Sequence, residues 1–131
     1  MAQVVAVAAV IVDGERVLAL RRAPQRDAGA GLWETVSGRV EPGEDPLDAT
    51  RREIAEESGL EVALDRRPID AYAARRGEAP MIVVVYRARR VAGEVRRSDE
   101  HDEHAWVTPA ELRARGAPPR LCDAVERALA P

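Results

Sequence analysis

Apolar positions fall into short dense runs broken by turn chemistry. Val4 to Val12 is rich in valine and closes at Asp13-Gly14, after which Arg16 to Arg22 resumes around Val17, Leu18 and Leu20. That pairing predicts a β-hairpin. Ala23 to Gly31 mixes Ala, Gly, Pro and polar residues without a period and reads as a mobile loop of the kind that often covers a substrate. Leu32 to Val40 supplies two short extended pieces around Trp33 and Val36, and Glu41-Pro42-Gly43 predicts a turn.

A helix follows, announced by agreeing cues. Asp45 is placed as N-cap, Pro46 at the first helical position, Asp48 in the first turn, and Gly59 at the end. Glu61 to Ala74 and Met81 to Val91 read as strands, the second carrying Ile82-Val83-Val84-Val85, and Ala88 to Arg97 contains Gly93 and is expected to turn. A last strand around His104 to Val107 leads into Thr108-Pro109-Ala110-Glu111, a capping box with proline at the first position. Pro118-Pro119 breaks that helix, and Leu121 to Leu129 predicts a final short amphipathic one. The order implies an α+β chain, a three-layer sandwich with a mixed sheet. No repeat or linker interrupts it, so residues 1–131 are expected to form one domain.

Composition narrows the chemistry. All 20 basic residues are arginine, which removes Schiff-base lysines and a phosphate-loop lysine. Cys122 stands alone, excluding an internal disulfide and a thiolate cluster and agreeing with a reducing cytoplasm. The net charge of −3, with arginine pairs scattered among acids, argues against binding long nucleic acid. Most pairs belong to solvated surface, but one or two arginines can clamp phosphate oxygens, with Arg22 and Arg39 as candidates. No apolar stretch approaches the roughly 20 residues that cross a bilayer, and the first run lacks a basic leader and a cleavage site.

The informative segment is Arg52-Glu53-Ile54-Ala55-Glu56-Glu57-Ser58-Gly59-Leu60. At about 100° per residue, Glu56 and Glu57 flank Glu53 one turn later, so the three carboxylates share a helix face while Leu47, Ile54 and Ala55 point the other way. Like charges at i,i+4 cost a helix roughly 0.2 to 0.5 kcal/mol, which a hard divalent cation would offset. Three glutamates alone fit a solvated acidic face better, with Arg52 and Glu56 as an i,i+4 pair.

The wider spacing changes that balance. Gly38 is followed after five residues by Glu44, and after seven more by Arg52-Glu53, apolar Ile54, Glu56-Glu57, Gly59 and apolar Leu60. This box, residues 38–60, resembles the signature of the Nudix hydrolases at all nine fixed positions, and chain length and element order resemble the small MutT-like branch.

The resemblance implies a Nudix-type α/β/α sandwich that cleaves a diphosphate bond in a nucleoside triphosphate or related nucleoside diphosphate derivative by water attack at phosphorus. It implies magnesium, or manganese in its place, bound by Glu53, Glu56, Glu57 and the Gly38 carbonyl, with Arg52 orienting Glu53 and Glu44 ordering the loop or contacting substrate and metal through water. A further acid is expected before the strand carrying Trp106: Glu100 first, Glu103 second, with Asp99 and Asp102 as rivals. His101 and His104 are expected on the surface. The catalytic set is therefore Arg52, Glu53, Glu57 and Glu100, with Arg22, Arg39 and Glu44 toward substrate. Glu44 equally favours the positive helix start, and Gly38 equally permits a turn. The partner is a small nucleotide, and homodimerisation is a family-level expectation. Nucleotide sugars, dinucleoside polyphosphates and a catalytically silent nucleotide-binding module are the alternatives. Trp33, Tyr72 and Tyr86 are candidates to stack on a base.

Overall fold

The first strand is apolar on both of its faces, and that requires a layer on each side of the sheet. In β1 (Val4–Asp13), Ala8, Val10 and Val12 face one core while Val7, Ala9 and Ile11 face the other. The computed structural model, which describes residues 2–24 and 29–131, supplies both layers. Helix α1 (Pro46–Ser58) covers the Ala9 and Ile11 side through Ile54 and Ala49, with Leu60 just past its end adding to the same core. Helices α2 (Pro109–Ala114) and α3 (Pro119–Leu129) cover the other through Leu112, Leu121 and Val125.

Between them lies a seven-stranded mixed sheet. β2 (Arg16–Arg22), β3 (Trp33–Glu34), β4 (Val36–Arg39), β5 (Glu61–Arg76), β6 (Ala79–Ala92) and β7 (His101–Val107) join β1, in the order β3-β2-β1-β6-β5, with β4 on β1 and β7 on β2. The β1–β6 pair is parallel, with Val4 opposite Met81 and Ala8 opposite Val85, and the other pairs are antiparallel. The α+β sandwich is thus present, with the caps in place. Asp45 accepts from Leu47 N at 2.8 Å, Gly59 ends α1 at φ 67°, and Thr108 and Glu111 form their reciprocal box.

Four details differ from the sequence reading. The expected turn over residues 88–97 is strand as far as Ala92, because Ala88 is buried opposite Leu64, and the chain turns only at Gly93. The last strand starts at His101 rather than His104, since pairing with β2 extends to Arg22 across a bulge at Arg21/Arg22. Ala55 is exposed, because the inner stripe of α1 follows the i,i+4 rows of Ala49, Thr50, Glu53, Ile54, Glu57 and Ser58. His101 is buried.

Of the loop expected over residues 23–31, positions 25–28 lie outside the described residues. Its base is pinned by Arg22 N donating to Leu32 O and Gly31 N to Arg22 O, each at 2.9 Å. Among the described residues, no helix is long and apolar enough to cross a membrane.

Candidate active site

β4 and the inner stripe of α1 bring backbone and carboxylates into contact. Gly38 sits in β4 opposite Val7, without a positive φ, so it is not a turn glycine. It is a close-approach glycine, because a Cβ there would lie 1.9 Å from Glu53 Oε2. The Glu53 side chain therefore occupies the space that any other residue at position 38 would fill.

Arg52 links the loop to the helix. Its Nε and Nη2 donate to the two Glu44 oxygens at 3.0 and 2.9 Å, Nη2 also donates to Arg39 O at 3.0 Å, and Nη1 donates to Glu53 Oε2 at 3.0 Å. Glu44 in turn accepts from Glu41 N at 3.0 Å, closing the turn before α1. The Arg52 guanidinium, with that backbone donor, holds the Glu44 carboxyl down at about 2, and its own pKa is raised by the same pairing. Both Glu44 oxygens are thus engaged within the loop. Arg39 contributes its carbonyl, while its side chain is exposed and absent from the pocket wall.

Glu57 is only 3% exposed, and its Oε1 accepts from Ser37 N at 3.1 Å. Burial pushes its carboxyl up to about 9, outweighing the Ser37 donor, and Glu53, Glu34 and Glu100 add repulsion. Glu53 is raised as well, again by burial first, opposed by Arg52 and reinforced by Glu56 and Glu100. Glu100 thus stands within electrostatic reach of both acids. Its rivals Asp102 and Glu103 are engaged by Arg21 at 2.8 and 3.0 Å, and Asp99 is exposed.

Glu56 departs from the expected common face: its side chain is 55% exposed, 3.8 Å from Arg52. Among the described residues, no three His, Cys, Asp or Glu side chains already converge as a cation cage. Arg52 and the Ser37 amide hold Glu53 and Glu57 in place of such a cage. The donor set nonetheless suits a hard divalent cation. It is made of oxygens, and the Glu53 and Glu57 carboxyls have pKa values raised chiefly by burial.

Beside this acid edge opens a pocket of about 400 Å³. Its wall includes Arg22, Glu34, Ser37 and Gly38 on one side and Tyr72, Met81 and Leu121 on the other. Tyr72 lines it with Arg120 stacked 4.9 Å over the ring, whereas Trp33 and Tyr86 are core residues, Trp33 with Arg115 over it at 4.3 Å. Arg22 Nη1 donates to Glu34 Oε2 at 3.1 Å, Ser37 Oγ to Glu34 Oε1 at 3.3 Å, and His101 Nε2 lies 2.8 Å from Glu34 Oε2.

The sequence did not single out Glu34, and His101, expected on the surface, is buried beside it. An acid next to Trp33 and a few residues before Gly38 was a signal for Glu34. The burial of His101 depends on a bulged pairing with residues about 80 positions earlier, which no local pattern reports.

A family model described as NUDIX domain matches residues 2–125. A MutT-like protein of Streptomyces ambofaciens is 36% identical over 129 residues, covering 95% of this chain and 78% of the relative. The nucleoside triphosphatase NudI of Salmonella paratyphi B is 34% identical over 105 residues, covering 72% and 74% respectively. An octanoyltransferase of Myxococcus xanthus is 37% identical over 119 residues, but the match spans only 32% of that longer protein. Among solved structures, the MutT protein of Methanosarcina mazei superposes with a TM-score of 0.85 at 27% identity, over 96% of this chain and 92% of that one.

Two outcomes follow from the packing of Glu53 and Glu57. Gly38→Ala should leave the fold intact by circular dichroism while displacing Glu53, lowering turnover about a hundredfold. Unchanged turnover would show that Glu53 has room to move. For Glu57, whose folded pKa lies above the ordinary 4.5, the contribution to stability is fully present below about 4.5 and is lost as pH rises through about 9. Glu57→Gln should therefore raise the stability of metal-free protein by roughly 2 kcal/mol at pH 8 and by little at pH 4, read by urea unfolding. An equal effect at both pH values would exclude burial of the charge as its origin.

Proposed function

This chain belongs to the Nudix family of hydrolases, and on that premise we propose that it hydrolyses a diphosphate bond in nucleoside triphosphates, releasing nucleoside monophosphate and pyrophosphate. The observation that carries the reading is the juxtaposition of buried Glu53 and Glu57 with an apolar pocket of nucleoside size. Nudix hydrolases generally use divalent metal ions, and magnesium is the proposed ion here, with manganese able to replace it. Glu53, Glu57, Glu56, Glu100 and the Gly38 carbonyl are the groups proposed to hold it. When bound, such an ion neutralises charge on the diphosphate oxygens and lowers the pKa of water.

The residues of this chain do the rest. Arg52 keeps Glu53 oriented and ties the preceding loop to α1 through Glu44. Glu53, Glu57 and Glu100 are the candidates to accept the proton that water loses as its oxygen bonds to phosphorus and the bridging P–O bond breaks. Arg22, on the pocket wall, faces the phosphate chain, where a guanidinium fork matches two oxygens. Tyr72, Met81 and Leu121 offer the base a stacking face and an apolar floor. In this reading residues 1–131 act as one domain, on free nucleotides of the cytoplasm.

The test is a panel of nucleoside triphosphates, nucleotide sugars and dinucleoside polyphosphates, assayed for phosphate and pyrophosphate with and without magnesium. Triphosphates should yield pyrophosphate only with the metal, and Glu57→Gln should lower kcat about a thousandfold. Turnover confined to the sugars or dinucleotides would move the substrate class, and no metal-dependent turnover of any of them would indicate a silent binding module.

A further inference from the structure

His101 sits apart from the acids of the box, yet it is the buried polar side chain whose placement has no other explanation. Its side chain is 1% exposed, and Nδ1 has no hydrogen-bond partner among the described residues. An imidazole that is removed from water and satisfied on one nitrogen only is costly, so the contact it does make carries its purpose. That contact is with Glu34. The carboxylate can only accept, so Nε2 carries the hydrogen and donates across 2.8 Å.

Glu34 Oε2 is shared. The oxygen that takes His101 Nε2 also takes Arg22 Nη1 at 3.1 Å, and the other oxygen takes Ser37 Oγ at 3.3 Å. The Glu34 and Arg22 side chains are only 12% and 20% exposed, and both line the pocket beside Gly38. The bulge at Arg21/Arg22 sets Arg22 opposite His101, and Ala23 N donates to Glu100 O at 2.9 Å in the same stretch. A buried ring thus fixes a carboxylate, and the carboxylate fixes a guanidinium at the pocket wall.

We propose that His101 is a positioning residue for substrate: through Glu34 it holds the Arg22 guanidinium toward the phosphate chain of the nucleotide, a role that rests on the function proposed above. A flexible arginine loses rotamer freedom on gripping an anion, and a fork already fixed by Glu34 has less to lose. His101 itself touches neither substrate nor metal. Its removal acts on binding, and it acts through Arg22.

The experiment measures kcat and KM for the preferred triphosphate, together with equilibrium binding of a non-hydrolysable imido-triphosphate analogue. The variants are His101→Leu, His101→Gln, Arg22→Ala and the double variant His101→Leu/Arg22→Ala. His101→Leu should raise KM and the analogue's Kd about tenfold with kcat within about threefold of the parent. His101→Gln, which keeps an N–H donor, should recover most of the loss. In the Arg22→Ala background, His101→Leu should add nothing, because the path it acts through is already cut. If His101→Leu does not fold, Glu34→Gln is the second probe and should show the same KM effect and the same lack of addition to Arg22→Ala. A loss in kcat alone, a glutamine as poor as leucine, or full additivity with Arg22→Ala would overturn the positioning role while leaving the hydrolase reading intact. A parent protein that neither binds nor cleaves any diphosphate overturns both.

Discussion

A carboxylate taken out of water must meet positive charge or hold its proton, and Glu57 is the place where this chain accepts that constraint. Its surroundings supply one amide donor and three other acids, so burial dominates. Glu53 is under the same pressure but shares an oxygen with Arg52. The helix that carries both could have buried alanines on that stripe, as it does at Ala49. Acids on that stripe lower the stability of the fold, a cost of the kind that functional sites impose.

The fold allows this because the sheet is packed on both faces before α1 presents its acids. β1 alternates between two cores, and α1 is fastened by Asp45, Ser58 and Gly59 at its ends and by Ile54 on its inner side. The close approach at Gly38 then joins helix and sheet where the chemistry is expected, so that backbone and carboxylate are positioned by the same contact. Arg52, Glu44 and Glu41 close the loop before α1, and on the pocket side Ser37, Arg22 and His101 converge on Glu34.

Local chemistry made much of this legible. The hairpin at Asp13-Gly14, the caps of α1 and α2, and the box from Gly38 to Leu60 are all short-range patterns, and each is present where it was read. The misreadings come from long-range pairing. Ala88 to Ala92 remains strand because β5 lies beside it, His101 is drawn inward by β2, and Ala55 is left outside because the helix turns its i,i+4 rows to the sheet. Glu56, assigned to the same face as Glu53 by helical geometry, emerges at the exposed rim, since the angle that separates it from Glu57 spans the boundary between sheet and solvent. Arg22 and Tyr72 were singled out one by one, but their meeting with Glu34 and Leu121 in one pocket wall depends on strand order, which no local pattern reports.

Glu57 is buried with a single amide donor, which pushes its carboxyl up, so a cation that binds beside it should displace a proton from it. The most direct measurement is calorimetric titration of the metal-free protein with manganese at pH 7 in buffers of differing ionisation heat. About one proton should be released for each cation bound, and that release should be lost in Glu57→Gln. Binding without proton release, together with a Glu57 carboxyl carbon that titrates near the ordinary 4.5 by NMR, would contradict it.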